Sequence, residues 1–494
     1  MTVINPSSIS GITSITMPSG GDNVLTIHTN DGTERFRIDS SGNVKVGSAC
    51  TISQDGDVFF TGVTTATTFT GAHSGSGANL TSLPAAQLTG SLPAISGANL
   101  TGIAATDNVR TGILDVAGIA TFRDNVNVPN LNGGQLAGRR NLVINGAMTV
   151  AQRGTSSTTN GYGSVDRFKC LSGGTDELPT HAQVDVTAAT TPYTLGFRKA
   201  LKITNGNQTS GAGASDYILV RSQIEAQDIA NSGWNYKSSS SYITLSFWIK
   251  SSVAQNFHGH IRAHDTTSYN YPFETGSLSA DTWTKVTKTI PGNSNLTFDN
   301  NTEAGLGINI AAFFGTDYTS GVSNNEWINY ASADLTPDQT STWYTTNDAT
   351  LELTGVQLEV GSQATAFEHC RYSDELTQCH RYYYKSKNDS GAAGEHWWGN
   401  CTQHSATQAR GCVVFPTPMR GVPSAFETSG TASDYRVWYK NNASTTCSSV
   451  PTADGMSSRS ARLTFTCASG LTAGEGASYR ANSTDAYIAW SAEL

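Results

Sequence analysis

Residues 141–168, "NLVINGAMTVAQRGTSSTTNGYGSVDRF", separate two kinds of sequence that one compact domain would not combine. All nine Trp and all eighteen Tyr lie C-terminal to Arg140. The earlier part of the chain has only scattered aromatic side chains, namely Phe36, Phe59, Phe60, Phe69 and Phe122. Because large side chains are what a globular core is built from, this stretch predicts the entrance from a shaft into a globular head.

The composition of the chain favours an all-β protein. A length of 494 residues predicts roughly two to four domains. Charged residues make up only 14% of the chain, and 49 Gly stand against 14 Pro. Such a composition is typical of short strands joined by tight turns, because Gly supplies the positive φ values that turns need.

Charge, hydropathy and cysteine spacing exclude several classes of function. The net charge of −9 argues against a nucleic-acid partner, which requires clustered Lys and Arg. No apolar run approaches the ~20 residues that span a bilayer, and the start "MTVINPSSIS" lacks a signal peptide's features. We therefore expect no membrane insertion and a protein that folds where it is made. The eight cysteines form no CxxC pair, so we expect free thiols and no cofactor.

The N-terminal segment, residues 1–45, shows short apolar alternations. Val24 and Ile27 precede the turn "NDG" at residues 30–32, and Phe36 and Ile38 follow it. Strands this short bury too little apolar area to form a domain alone. We therefore expect this segment to need partners, and we assign it to attachment.

Residues 46–140 contain internal repeats. "GANLTSL" at residues 77–83 recurs as "GANLTGI" at residues 97–103, a period of 20 residues. Fixed-period repeats indicate a quasi-linear stack of units. One chain has too few large apolar side chains to close such a core, so the pattern predicts an intertwined β shaft made of three copies. The alternative is a flexible Gly/Ser linker, against which the regular Leu and Pro placement argues.

Residues 141–370 show strong apolar alternation, which predicts a jelly-roll-like β-sandwich. The predicted strands cover residues 217–225, 242–252, 282–290, 305–314 and 349–360. Residues 371–390, with acidic residues first and lysines last, predict a connecting helix. Residues 391–494 predict a distal C-terminal β domain with strands at 412–419, 435–440, 461–469 and 486–494.

Several segments resemble tail fibre proteins of tailed bacteriophages, notably marine and cyanobacterial phages. They are "RRNLVINGAMTVAQRGTSS" with "VDRF", "GVQLEVGSQATAFEHCRYSDELTQCHRYYYK", "AYIAWSAEL" and, upstream, "DGTERFRIDSSGNVKVG" with the "GANLTGI" repeats. The resemblance implies a homotrimeric adhesin with domains like carbohydrate-binding modules, attached to the virion by its N-terminus. It implies no individual binding residue, because such fibres vary in the last domain.

The strongest candidate site for a glycan is a cluster of aromatic and polar residues in the distal domain. Adjacent tryptophans on a Gly-rich loop can stack on sugar rings, whose rims hydrogen-bond to carboxylate or imidazole groups. The candidates are Glu395, His396, Trp397 and Trp398, with Tyr435, Trp438 and Tyr439 as companions. The competing interpretation is that at least one of the tryptophans belongs to the core.

A candidate metal site is formed by His258 and His260 in "HGHIRAHD". In a strand the two imidazoles point the same way, and a threefold axis would gather six of them, enough for a transition metal. The competing interpretation is a pair of structural histidines inside the sandwich.

The sequence favours a tail fibre that binds a host surface polysaccharide and is not an enzyme. Its expected partners are two identical chains and a tail or baseplate protein bound through the N-terminus. Such a protein is made in the host cytoplasm and ends in the virion tail. One alternative is a tailspike enzyme that depolymerises surface polysaccharide. Hydrolysis would need two carboxylates about 5–10 Å apart across a cleft, and the 20-residue repeats occupy too little of the chain to build such a groove. The other is a structural baseplate or connector protein without a receptor.

Overall fold

The computed structural model describes residues 24–61, 139–265, 267–393 and 396–494, with a few single residues between 65 and 70. The chain divides into two compact units, Met1–Gly118 and Ile119–Leu494. The repeats at residues 77–83 and 97–103 lie outside the described residues. The intertwining of three chains concerns contacts between copies and stays a prediction.

The described part of the first unit is a five-stranded antiparallel meander in which each strand pairs with the next. Its strands are β1 Leu25–His28, β2 Glu34–Ile38, β3 Val44–Val46, β4 Cys50–Ile52 and β5 Val58–Phe60. Between residues 24 and 61 no residue is buried. Phe59 and Phe60 are 59% and 53% exposed. We call this element the N-terminal sheet; it crosses the predicted boundary at residue 45.

The second unit begins with a sandwich of two six-stranded sheets. Its strands are β6 Ser156–Ser157, β7 Lys169–Gly173, β8 Thr180–Asp185, β9 Lys199–Thr204, β10 Tyr217–Glu225, β11 Tyr242–Ser251, β12 Asn256–Ala263, β13 Tyr269–Ser277, β14 Thr284–Pro291, β15 Ala304–Phe314, β16 Thr319–Ser320, β17 Ile328–Asn329, β18 Thr336–Pro337 and β19 Thr350–Val360. Sheet 1 has the order β17-β13-β12-β15-β10-β7, and sheet 2 the order β14-β11-β19-β9-β8-β6. Strands β16 and β18 form a separate parallel pair, and short helices α1 (Thr191–Thr194) and α2 (Ala226–Ala230) lie in the connections.

Alternating side chains of the two sheets meet in one core. In β11, Ile243, Leu245, Phe247 and Ile249 are at most 1% exposed. The ring of Phe247 faces Phe273 of sheet 1, with centroids 6.4 Å apart. Each such side chain contributes about 1.5–3 kcal/mol through burial, so the two layers stabilise each other. The all-β class and the β-sandwich are thus confirmed.

The stretch at residues 141–168 docks against the end of β19. Asn141 accepts a hydrogen bond from the Leu358 amide at 3.1 Å and donates to the Val356 carbonyl at 3.1 Å. A Cβ on Gly146 would lie 2.1 Å from the Val356 oxygen, so only glycine fits there. Asn145 adopts a φ of 61°, a left-handed conformation that Asn tolerates better than most residues. These requirements explain the "NLVING" pattern.

The helix predicted over residues 371–390 is shorter than expected. Helix α3 covers Tyr372–His380, and the chain then becomes strand β20, Tyr383–Lys387. Strand β20 pairs with β29, Tyr487–Ser491, near the C-terminal end. The prediction was therefore wrong for the second half of this range.

Consecutive tyrosines explain why the helix stops. Tyr383 is buried, with the guanidinium of Arg153 3.5 Å from its ring centroid. Tyr384 points to the other side and stacks on Trp490, with centroids 5.8 Å apart and planes 6° from parallel. Neighbouring residues that contact opposite sides have the period of a strand, and the two tertiary contacts override the local helix preference.

The distal domain consists of two antiparallel sheets around its own core. Its further strands are β21 Trp397–Gln403, β22 Gln408–Val414, β23 Ala425–Thr428, β24 Tyr435–Trp438, β25 Ser444–Thr446, β26 Thr452–Asp454, β27 Ser460–Thr466 and β28 Gly476–Ala481. Sheet 3 has the order β20-β29-β23, and sheet 4 the order β25-β24-β28-β21-β22-β27-β26. Two 3-10 turns occupy Ala432–Asp434 and Lys440–Asn442.

A buried polar interface joins the sandwich to the distal domain. Arg167 forms an ion pair with Glu493, and its guanidinium lies 3.4 Å from the Tyr382 ring centroid. Arg153 also reaches Glu493, at 3.2 Å, while stacking on Tyr383. These residues belong to three of the segments that resemble tail fibres, namely the stretch at residues 139–168, the "RYYYK" end of the second segment and "AYIAWSAEL". The three segments therefore meet at this interface.

A second ion pair reinforces this interface. Glu225 at the end of β10 is fully buried and receives two hydrogen bonds from Arg381, at 2.6 and 2.7 Å. The Tyr382 hydroxyl donates to the same carboxylate at 2.6 Å. Such bidentate geometry offsets the cost of burying the charge. The two domains of this unit are thus joined by a specific polar network.

All eight cysteines are free thiols. Among the helices that the structure describes, none combines the length and the apolar character needed to cross a membrane.

Candidate functional site

The two adjacent tryptophans of the predicted glycan site lie on opposite sides of sheet 4. Trp397 is 51% exposed, whereas Trp398 is 8% exposed and packs in the distal core. The pairing of β21 with β28 shifts by one residue between Trp397 and Gly399. Gly399 has a φ of 144°, which a residue with a side chain rarely adopts. The glycine thus allows the strand to bulge while Trp397 stays outside.

An arginine lies between two tryptophans on the outer face of sheet 4. Arg480 stands opposite Trp397 in the strand pairing. Its guanidinium carbon lies 3.9 Å from the Trp397 ring centroid and 4.0 Å from that of Trp438. Cation–π contacts of this kind fix both indoles at little entropic cost. Because Trp397 remains half-exposed, part of its ring stays available for a ligand.

Polar side chains surround this stack. Arg436 on β24 stands directly opposite Arg480 and lies 5.2 Å from the Trp438 ring centroid. Asn400 is exposed on β21, opposite Ser478 and on the same face as Arg480. We call Trp397, Trp438, Arg436, Arg480 and Asn400 the aromatic–arginine surface. An exposed indole beside guanidinium and amide donors suits a sugar, which presents an apolar face and a rim of hydroxyls.

The remaining predicted residues lie elsewhere. Tyr435 is fully buried beside Trp398, with ring centroids 5.5 Å apart, and its hydroxyl donates to the Tyr487 carbonyl at 2.5 Å. Tyr439 is half-buried against the distal core, close to Gly470. Glu395 lies outside the described residues. Of the described members of the predicted cluster, Trp397 and Trp438 meet on the outer face of sheet 4, whereas Trp398 meets Tyr435 and His396 on the core side.

His396 contacts a different part of the domain. Its Nε2 lies 2.9 Å from the Ser386 hydroxyl, and its ring meets Trp398 edge-on at 5.3 Å. Burial lowers the pKa of His396 below its usual value. Together with Tyr372 and Lys385 it lines a cleft of about 470 Å³ beside helix α3. It does not contribute to the aromatic–arginine surface.

The two histidines of the predicted metal site lie on the outer face of sheet 1. His258 is 6% exposed and His260 only 1% exposed. A ring so buried cannot meet its equivalent in another chain without displacing the residues that cover it. Among the described residues, no three His, Cys, Asp or Glu side chains are grouped so that they could hold a metal ion. The burial of both rings favours the competing interpretation, a pair of structural histidines.

The outer face of sheet 2 has an aromatic cleft that the sequence did not predict. Phe197, Trp248, Phe367 and other residues line a space of about 310 Å³. The cleft adjoins Thr365, which accepts a hydrogen bond from Arg140 at 2.6 Å. Arg140, at the start of the sandwich, thus contacts part of the wall of this cleft. We therefore propose no ligand for it.

The two arginines of the aromatic–arginine surface were missed by sequence reasoning. Arg480 lies more than 80 residues after Trp397, and only the pairing of β28 with β21 brings them together. The one available signal was the alternation around "SYRA", in which an arginine occupies an outward position of a strand. That signal does not reveal which strand lies beside it.

Comparison with known proteins gives structural neighbours and no family. No family model matches the chain, and no curated protein sequence matches it significantly. Similar solved structures include the enzymatically active domain of tailspike protein 4 from bacteriophage CBA120, at 12% identity and a TM-score of 0.23. That match covers 44% of this chain but only 21% of the tailspike chain.

Other neighbours are smaller proteins. A protein described as sugar-binding from Bacteroides thetaiotaomicron matches over 45% of this chain and 100% of its own, at 12% identity and a TM-score of 0.23. The family 11 carbohydrate-binding module of Clostridium thermocellum matches over 44% of this chain and 98% of its own, at 12% identity and a TM-score of 0.20. Such low scores carry no argument about function, which must come from the site itself.

Proposed function

We propose that this protein is a bacteriophage tail fibre that binds a host surface polysaccharide through the distal domain. In this proposal three identical chains form the fibre, and the N-terminal segment attaches it to a tail or baseplate protein. The protein is made in the host cytoplasm, becomes part of the virion, and binds its receptor without cleaving it.

The observation that carries the proposal is the half-exposed indole of Trp397, held by Arg480 on a rigid sheet. A rigid aromatic ring held at a surface beside polar side chains is the kind of platform on which a sugar ring stacks. Neighbouring donors from Arg436 and Asn400 supply the polar contacts that a sugar ring needs. A site of this kind is open and shallow, which suits reversible recognition of a polymer.

The N-terminal sheet supports the assembly of several chains. It exposes Ile27, Val46 and Val58 by about half, in addition to its two phenylalanines. A single-layer sheet without buried residues does not stabilise itself in water. Copies of the same chain are the partners that the resemblance to tail fibres implies. Three tips per fibre then raise the effective concentration, so weak single contacts can hold a particle.

A binding measurement with Trp397→Ala tests the proposal. The full chain would be applied to an array of bacterial surface polysaccharides, and the affinity measured for each polysaccharide retained. Loss of a central aromatic contact costs about 2 kcal/mol, so we expect binding roughly 30-fold weaker. Val414→Ala is the matched control, because Val414 is an exposed apolar residue on the same sheet.

The same experiment separates the rival functions. Retention without a rise in reducing ends supports the fibre, whereas release of shorter fragments supports a tailspike enzyme. Absence of binding to every polysaccharide and to host cells favours a structural connector. Equal affinity of the wild type and of Trp397→Ala would reject the aromatic–arginine surface as the site.

A further inference from the structure

The outer face of sheet 1 carries three cations close to one another. Lys169 on β7 stands opposite Arg221 on β10, and Arg221 stands opposite Asn309 on β15. Arg262 on β12 stands opposite Gly307, two residues before Asn309. Since residues two apart share a face of a strand, all these positions face the same side. We call Lys169, Arg221 and Arg262 the cationic row. Gly307, opposite Arg262, contributes no side chain to this face.

The cationic row has no counter-ion among the residues that the structure describes. None of its three members forms an ion pair with a described carboxylate. Burial and the neighbouring Arg221 lower the pKa of Lys169, and Glu493, which acts in the opposite direction, is bound by Arg153 and Arg167. At the far end of the face, Glu274 stands opposite His258 and accepts a hydrogen bond from another side chain. The row is therefore a region of uncompensated positive charge.

Two histidines add unused hydrogen-bonding atoms to this region. His260 lies opposite Asn309, and His264 lies over Gly307, 2.9 Å from where a Cβ would be. His260 Nδ1, His264 Nε2 and Arg262 Nε have no hydrogen-bond partner in the described part of the chain. Burial and the neighbouring arginines lower the pKa of His260 to about 3 and that of His264 to about 4. Buried polar groups usually have hydrogen-bond partners, so these unpaired atoms are candidates for contact with an anion. His260 itself is covered, whereas Arg262 and His264 are partly exposed and are the side chains that a ligand can reach.

The positions of the guanidinium groups are already fixed. Arg221 donates from Nε to the Asn309 side chain at 2.7 Å. Arg262 stacks on Tyr330, with the guanidinium carbon 3.6 Å from the ring centroid. Lys169 lies 5.5 Å from the ring centroid of Tyr162. Because these contacts restrict the side chains before any ligand arrives, binding requires little additional ordering.

We infer that the cationic row binds the acidic group of an acidic saccharide, a carboxylate or a sulfate ester. This inference rests on the proposed glycan-binding function. Guanidinium groups match the two oxygens of such an anion, and the contacts with Tyr162 and Tyr330 hold two of the three cations in place. The positive field opposes a metal cation at the histidines. A nucleic acid would need a much longer basic surface than three side chains in a chain of net charge −9.

Calorimetric titration of the full chain tests the inference with four probes. They are an oligouronate, a sulfated neutral oligosaccharide, the unsulfated form of equal length, and duplex DNA. Arg262→Gln and Lys169→Gln each remove one charge of the row, and Lys237→Gln removes one exposed charge elsewhere on the sandwich. We expect each row variant to bind an acidic probe about tenfold more weakly, with Lys237→Gln unchanged. The binding of the unsulfated oligosaccharide should not respond to the row variants.

A second measurement detects the anion without any sugar. Sodium sulfate is titrated against sodium chloride of equal ionic strength while the ring signals of His260 and His264 are followed by NMR. Saturable shifts in the wild type that disappear in Arg262→Gln support the inference.

The outcomes separate this inference from the proposed function. Equal affinity for acidic and neutral saccharides, with no effect of Arg262→Gln, overturns the inference and leaves glycan binding intact. Tighter binding of DNA than of either acidic saccharide also overturns it. Failure of every saccharide to bind, in the wild type and all variants, overturns both.

Discussion

The N-terminal sheet and the sandwich are built from the same kind of strand but differ in what covers them. Both are antiparallel and both alternate apolar with polar residues. In the described part of the first unit no residue is buried, whereas β11 of the sandwich buries an apolar side chain at every second position. The comparison shows that alternation of apolar and polar residues is enough to form a strand. A stable sheet also needs a second layer that covers its apolar face.

This difference can be measured separately in the two units. All nine tryptophans follow residue 140, so tryptophan fluorescence reports unfolding of the second unit alone. Sedimentation reports the assembly that the N-terminal sheet is proposed to need.

The largest effect is expected from the core of the sandwich. Phe247→Ala removes a ring that is completely buried between the two sheets. Such a cavity costs about 3–5 kcal/mol of unfolding free energy. Urea unfolding followed by tryptophan fluorescence measures the change, and Val414→Ala, at a 73% exposed position, is the control with little expected effect. A small loss for Phe247→Ala would mean that the second layer does not stabilise the sheet.

The interface between the sandwich and the distal domain ranks next. Arg167→Met keeps much of the side-chain volume but leaves Glu493 with Arg153 as its only ion-pair partner among the described residues. An undercompensated buried carboxylate costs about 3 kcal/mol. The exposed pair of Arg462 with Asp454 provides the control, because Arg462→Met should leave the unfolding midpoint unchanged. Similar effects of the two substitutions would argue against a specific polar network.

A third prediction concerns pH and the outer face of sheet 1. His260 stays neutral in the folded protein down to a pKa of about 3, while in the unfolded chain its pKa is near 6.5. The unfolded state therefore binds more protons between these values, and stability falls as the pH falls below 6.5. From pH 6.5 to pH 5 this loss is roughly 2 kcal/mol.

His260→Gln isolates this contribution. We expect the variant to lose about 2 kcal/mol less than the wild type on acidification to pH 5. Asp166 acts in the opposite direction, because burial raises its pKa to about 6, but it is present in both proteins and cancels in the comparison. Equal pH slopes for the two proteins would contradict the burial of the neutral imidazole.

Most strands of the second unit could be predicted from the sequence. The strand predicted at residues 217–225 agrees with β10, Tyr217–Glu225, and that at 349–360 with β19, Thr350–Val360. Long alternation with large apolar residues determines such strands locally. A helix was predicted around Tyr383, where the structure has strand β20. This strand depends on contacts with Arg153 and β29 that only the folded chain provides.

The candidate site was less predictable than the fold. Two neighbouring tryptophans identify a region, but the strand alternation places Trp398 in the core and leaves Trp397 outside. Which partner joins Trp397 depends on the register between β21 and β28. Register is a property of pairing between distant segments, so Arg480 had no local signature. The cationic row could not be predicted either, because its three residues come together only through the pairing of distant strands.

The smallest effect on the second unit is expected from the N-terminal sheet, and it tests the comparison most directly. Phe59→Ser with Phe60→Ser removes the two most prominent apolar side chains of a sheet that buries none of its own. If copies of the chain cover these rings, the substitutions shift sedimentation toward single chains, whereas Thr26→Ser on the same sheet does not. The unfolding free energy reported by tryptophan should change by less than about 0.5 kcal/mol, since surface changes away from a core act weakly. A wild-type chain that sediments as a folded single copy would show instead that the N-terminal sheet needs no second layer.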